Sequence, residues 1–264
     1  MGCRIKTYNE TMRILLSNDD GVHASGLMAL YKELKKIGKV CVVAPLEEKS
    51  TTGHSLTLHK PLRIIKMTKD FYGVNGSPAD CVYLGIREIL KGMPDFVVSG
   101  INRGANLGQD VYYSGTVSAA REACILGLRS LAVSTSVNFS SPPPEDRIHY
   151  ATAAKLAVQV IQTTKKMEWT KHTFLNLNAP DVPMSKVKGL VPSRQGFRYY
   201  SGSVLKRKDH RGKDYFWVGG QYKGFHREVG TDCYEVDRGY ASLTPMKLDV
   251  TNYDVMSELE DLFS

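Results

Sequence analysis

The chain has 264 residues, of which 42% are hydrophobic and 23% charged, with 35 basic against 27 acidic side chains for a net charge of +8. That balance excludes a disordered or fibrous chain and suits one large core, or one core with an appendage. No apolar run approaches the roughly 20 residues that a membrane span needs.

In chain order, residues 1–11 read as an extension ahead of the fold, without the apolar centre of a secretion signal, and Met12 is an alternative start. Ile14-Leu15-Leu16 is a short buried strand that runs into Ser17-Asn18-Asp19-Asp20-Gly21. Gly21 breaks it, and 24–36 carries helical periodicity through Leu27, Leu30, Tyr31 and Leu34. Further buried strands are expected at 40–45, 95–100, 130–134 and 174–178, with helices over 79–91, 118–126 and 146–165. Residues 62–67 and 71–74 form a local hairpin inserted before the helix at 79, and 140–145 is a proline-stiffened surface connection. Short apolar strands separated by helices predict an α/β fold with a doubly wound, mostly parallel, Rossmann-like sheet.

The composition changes near Val191. From 193 to 242 glycine, tyrosine and charge dominate, which predicts an antiparallel β-hairpin extension projecting from the core, and 253–263 is a short amphipathic C-terminal helix. The expected boundaries are therefore 1–11 (extension), 12–192 (Rossmann-like core), 193–245 (β-rich extension) and 246–264 (C-terminal strand and helix). Lys206-Arg207-Lys208 and 211–213 concentrate positive charge, either as a solvated hairpin tip or as an attraction for polyanions. No interleaving of aromatic and basic residues accompanies them, so specific nucleic-acid binding is not expected. The five cysteines are scattered and contain no CxxC pair. They fit buried apolar positions in a reducing cytoplasm and neither a disulfide framework nor a zinc ribbon.

Four loop tips follow predicted strands, and in a doubly wound sheet such tips can share the carboxyl edge where ligands bind. They carry Asn18-Asp19-Asp20-Gly21, the run 44–55 with Ser50 and His54, the run 99–106 with Asn102 and Asn106, and Tyr113-Ser114-Gly115-Thr116. Two adjacent carboxylates repel each other unless positive charge sits beside them, and a divalent cation is the simplest source. Asp19, Asp20, Ser50 and Asn102 make an all-oxygen donor set suited to Mg²⁺, Mn²⁺ or Ca²⁺, not to zinc. Ser114, Gly115 and Thr116 open a helix whose backbone N–H groups favour an anion, phosphate above all. The plain structural alternatives are an N-cap with a turn acid at Asp19-Asp20, and ordinary N-capping at Ser114 or Thr116. A metal beside a phosphate cradle is the pairing needed for phosphoester hydrolysis. His54 reads equally as a positioned imidazole or as a proton donor, and Arg121 with Glu122 as a local ion pair. Trp169 and Trp217 read as packing residues, with stacking on a base as the alternative for tyrosine and tryptophan near the extension.

These motifs, with 76–81, 98–108, 113–122, Thr231-Asp232 and 236–251, together resemble the SurE family of 5′/3′-nucleotidases over about 12–251. Leu46 and Ser77 depart from the family's commonest wording, at positions away from the proposed donors. The resemblance implies a 5′-nucleotidase that hydrolyses nucleoside monophosphates to nucleoside and phosphate. It implies one divalent metal per subunit, Mg²⁺ or Mn²⁺, held by Asp19, Asp20, Ser50 and Asn102, and phosphate contacts from Asn106, Ser114, Gly115 and Thr116. It further implies a homodimer or homotetramer built through the 193–245 extension, and an exopolyphosphatase side activity. The residues themselves add a mechanism: in-line attack of water without a phosphoenzyme, with Asp19 or Asp20 orienting the water. A haloacid-dehalogenase-type phosphatase needs two aspartates one residue apart, whereas here they are adjacent. A receiver domain is about half this length and would carry a phospho-accepting aspartate where Asn102 stands. A nucleotide- or polyphosphate-binding regulator with little turnover is the reading from a different class.

Overall fold

The computed structural model describes residues 11–264, so the expected extension at 1–11 lies, apart from Thr11, outside the described residues. Strand β1 (Met12–Ser17) is followed by α1 (Ser25–Leu34) and β2 (Gly38–Pro45). Next come β3 (Ile64–Lys66), β4 (Phe71–Val74), α2 (Pro78–Leu84) and β5 (Phe96–Arg103). Then α3 (Gly115–Ile125), β6 (Ser130–Ser136), α4 (Tyr150–Thr164) and β7 (Thr173–Pro180) complete the alternation. Beyond it lie β8 (Leu190–Pro192), β9 (Arg198–Tyr200), β10 (Ser203–Lys208), β11 (Asp214–Gly219) and β12 (Tyr222–Phe225). The chain closes with α5 (Asp232–Asp237), β13 (Ala241–Lys247) and α6 (Tyr253–Phe263).

One nine-stranded sheet runs β3-β4-β2-β1-β5-β6-β7-β13-β8. Strands β4, β2, β1, β5, β6 and β7 are parallel neighbours, while β3 and β13 meet the sheet antiparallel. The pattern of β1 shows why it lies at the centre. Ile14 and Leu16 pack into the cluster formed with α1 and α4, while Leu15 packs into the opposite cluster with Cys81 and Val82 of α2 and Ala119 and Ala123 of α3. A strand apolar on both faces is stable only between two helical layers. Leu15 and Leu16 are each 0% exposed, and burial at that level contributes about 1.5–3 kcal/mol per side chain.

Several elements differ from the sequence reading. The expected hairpin at 62–74 is formed by β3 and β4, but it does not stand alone, because β4 also pairs in parallel with β2 and so extends the main sheet. The helix expected over 79–91 is shorter: α2 passes into a π-helical turn at Gly85–Ile89. Two small antiparallel ribbons, β10–β11 and β9–β12, form the projecting extension. That stretch also contains α5, which the tyrosine- and charge-rich composition concealed. Strand β13 spans the expected boundary at 245/246 and belongs to the central sheet, with β7 and β8 as its partners.

Helix α1 reaches its place because Gly26 has no side chain: a Cβ there would stand 2.2 Å from the carbonyl oxygen of Ile101 in β5. The neighbour is backbone and cannot swing aside. Gly26→Ala is therefore expected to lower stability by at least about 1–3 kcal/mol, read as a shift in the urea midpoint at unchanged slope.

Candidate active site

Strand β1 has β2 on one side and β5 on the other, so the chain order reverses across it. The carboxyl edge at such a reversal is where open α/β sheets form a crevice. Asp19 and Asp20 leave β1 there, Ser50 sits in the loop after β2, and Asn102 and Asn106 lie at and after the end of β5. Ser114, Gly115 and Thr116 begin α3 at the same edge.

Asp19 is 3% exposed and rests on the first turn of α3. Thr116 Oγ1 donates a short hydrogen bond to Asp19 Oδ1. A Cβ on Gly115 would lie 2.7 Å from Asp19 Cβ and 2.8 Å from Asp19 Oδ2, so only glycine lets the carboxylate approach this closely. Burial raises the Asp19 pKa despite these donors. Asp20 is half-buried and accepts from Arg103 N at 3.4 Å. Its pKa is pushed up to about 7, first by burial and then by the charge of Asp19. Lys49 and Arg103 pair elsewhere, with Glu47 at 3.9 Å and Glu145 at 3.6 Å. Among the described residues, neither aspartate is ion-paired with a lysine or arginine.

The other proposed donors are neutral oxygens. Asn102 Nδ2 donates to Gly104 O at 2.8 Å, which leaves its side-chain oxygen for another partner. Ser50 is exposed, and its hydroxyl donates to Glu48 Oε1 at 2.6 Å. Beneath them Ser17 Oγ, Asn18 Oδ1 and Ser99 Oγ are buried without hydrogen-bond partners. No group of three or more His, Cys, Asp or Glu side chains gathers as a metal cage among the described residues. The donor chemistry is therefore two carboxylates with neutral oxygens. It fits a hard divalent cation, which would also offset the burial that raises both carboxylate pKa values and the Asp19 charge that adds to the shift of Asp20.

The phosphate candidates are tightly held. Ser114 Oγ accepts from Val117 N at 3.0 Å and so caps α3. The Thr116 hydroxyl is occupied by Asp19, leaving backbone N–H groups at this helix start as the donors for an anion. Asn106 Nδ2 donates to Ser134 Oγ at 2.8 Å, and Asn106 N donates to Asn178 Oδ1 at 2.8 Å. Its carbonyl accepts from Asn176 at 2.9 Å and Asn178 at 3.0 Å.

Three acidic side chains, Glu122, Asp110 and Glu145, have partners that escaped the sequence reading, most of them far away in the chain. The expected Arg121–Glu122 pair is not formed: Glu122 meets His54 at 2.8 Å, while Arg121 donates to Val111 O at 3.2 Å. Arg198 pairs with Asp110, which also accepts from Tyr200 at 2.6 Å, and this ties the extension to the turn ahead of α3. Glu145 accepts from Tyr150 at 2.9 Å and holds Arg103. Trp169 packs on Phe96 as expected, whereas Trp217 is 65% exposed on β11.

The shifted carboxylates make a pH prediction for metal-free protein. Folded Asp20 keeps its proton up to about pH 7, against an ordinary value of 3.8. Between those values the folded state binds more protons, so stability falls as pH rises from about 4 to about 7. Thermal melts in chelator should show Tm dropping across that window, with a smaller drop in Asp20→Asn.

Comparison with known proteins places the chain in a family. The family model described as "Survival protein SurE" matches residues 14–202. The "5′-nucleotidase SurE" of Geobacter sulfurreducens is 45% identical over 249 residues, covering 94% of this chain and 93% of that protein. That of Geotalea daltonii is 45% identical over 249 residues, covering 94% and 98%. The crystal structure of the SurE protein from Aquifex aeolicus superposes with a TM-score of 0.82 at 42% identity, covering 96% of this chain and all of that one. With the matched model spanning most of the chain and relatives this similar across nearly its whole length, the chain belongs to the SurE family.

Proposed function

We propose that the chain is a metal-dependent phosphomonoesterase that converts nucleoside 5′- and 3′-monophosphates to nucleoside and phosphate. The name carried by its relatives, 5′-nucleotidase, supports the substrate class. One observation carries the chemistry: a buried and a half-buried carboxylate stand side by side in the chain without a lysine or arginine partner among the described residues, and Asp19 abuts the N-terminus of α3. Asp19, Asp20, Ser50 and Asn102 would hold one Mg²⁺ or Mn²⁺ per subunit. When bound, the ion would neutralise phosphoryl charge and acidify a water.

The chain's own groups do the rest. Thr116 and the first turn of α3 hold the Asp19 carboxylate in one orientation. Asp20, the more accessible of the two, orients the attacking water in line with the scissile P–O bond. Asn106 and the 114–116 turn steady the phosphoryl oxygens, and no phosphoenzyme forms. Polyphosphate, as a chain of the same phosphoryl groups, is a further substrate class.

Assembly as a dimer or tetramer through 193–245 belongs to this reading. The β10–β11 ribbon exposes Val204, Leu205, Phe216, Trp217 and Val218, and a two-stranded ribbon is marginal unless something packs on it. A cytoplasmic setting is also proposed. No described helix is long and apolar enough to cross a membrane, and Cys41, Cys81, Cys124 and Cys233 are free thiols.

The test is phosphate release from a panel of nucleoside monophosphates with Mg²⁺ or Mn²⁺, with and without chelator. Release that stops on metal removal is expected; binding without release would make the protein a regulator. Asp19→Asn and Asp20→Asn should each reduce kcat at least about a hundred-fold, the scale of losing an electrostatic transition-state contact. Their circular dichroism should match wild type. A covalent aspartyl-phosphate trapped from substrate would overturn the direct attack by water.

A further inference from the structure

Among the proposed metal donors, Ser50 alone comes from a long loop without regular structure, between β2 and β3. The loop is fastened on both sides of it. On one side Lys49 N donates to Asp19 O at 2.8 Å. On the other, Gly53 N donates to Tyr113 O at 3.1 Å, and His54 Nε2 meets Glu122 Oε2 at 2.8 Å. Thr57 and Ser55 are then bound to the start of α2, through Asp80 and Ser77. Between the two flanking attachments the backbone turns through a left-handed Thr51 at φ 57°. Among the described residues the Ser50 hydroxyl bonds only to Glu48.

The His54–Glu122 contact differs from the other attachments. Glu122 is 4% exposed, and His54 is the only described partner of its carboxylate. A buried carboxylate stripped of its hydrogen-bond partner is left unsatisfied, so this attachment is costly to break. Glu122 also stands on α3, the same rigid helix whose first turn seats Asp19 through Gly115 and Thr116. One helix therefore sets the positions of both Asp19 and the Ser50 loop.

We infer that His54 and Glu122 are positioning residues of the metal site, forming a latch that holds Ser50 in register with Asp19. The inference deepens the metal-dependent reading above and rests on it. Its chemistry is that of a donor's outer support: the latch touches neither substrate nor metal, and it acts by restricting where one neutral oxygen ligand can be.

The experiment is Mn²⁺ titration of the full chain, with free Mn²⁺ read by electron paramagnetic resonance. Alongside it, kcat is measured at saturating Mn²⁺ with a nucleoside monophosphate. His54→Ala is expected to weaken Mn²⁺ binding about 10–100-fold, the usual consequence of losing a ligand's support. His54→Gln, whose amide nitrogen can reach the same carboxylate, should recover most of that loss. In His54→Ala, kcat at saturating Mn²⁺ should fall far less than the affinity. The double variant His54→Ala/Glu122→Leu removes the latch without stranding a buried charge, so it guards against simple misfolding. It should bind Mn²⁺ as weakly as His54→Ala.

Wild-type affinity in that folded double variant would overturn the latch. So would a His54→Ala protein with unchanged Mn²⁺ binding and a collapsed kcat, which would make His54 a proton donor. Failure of the wild-type chain to bind Mn²⁺ would instead remove the metal reading itself.

Discussion

The carboxylates of Asp19 and Asp20 are taken out of water side by side, at the end of a strand that is buried on both faces. Burial raises the cost of charging both, and for Asp20 the neighbouring charge of Asp19 raises it further. Much of the surrounding structure is arranged to tolerate that pair. Thr116 donates to one carboxylate, a backbone N–H from Arg103 reaches the other, and Gly115 leaves room for the first turn of α3 to come into contact. These donors lessen the cost of burial without removing it, since both carboxylate pKa values stay raised.

The same edge is stiffened from below by polar side chains that serve one another. Asn106 is held at its N–H, its carbonyl and its amide nitrogen by Asn178, Asn176 and Ser134. Asp232, at the start of α5, accepts from the N–H groups of Gly108, Gly196 and Cys233. Through that carboxylate and the Arg198–Asp110 pair, the extension is fastened to the loop that leads from Asn106 to Ser114.

Much of this was legible in the residues. The period and length of the apolar runs at β1, β2, β5, β6 and β7 were enough to predict a parallel sheet, because only strands buried on both faces read that way. The segment at 76–81 was read only as a motif, and its meaning is local. Ser77 and Asp80 form a capping box with Pro78 at the first helical turn, and Asp80 also receives Thr57. Helix α5 was missed because its six residues carry too few apolar positions to show a period. Strand β13 was divided by a boundary drawn on composition, since nothing in its residues tells which sheet it will join.

Sequence alone determined the alternation of strands and helices and the kinds of atom at four loop tips. Both are matters of local chemistry: periodic burial, chain-breaking glycine, and oxygen donors adjacent in the chain. Tertiary structure decided which of those atoms already have partners. Thr116 proved to be committed to Asp19, Glu122 to His54 and Arg198 to Asp110, over separations of 97, 68 and 88 residues. Such pairings depend on the crossing of distant elements, and no local propensity encodes where two helices and a loop will meet.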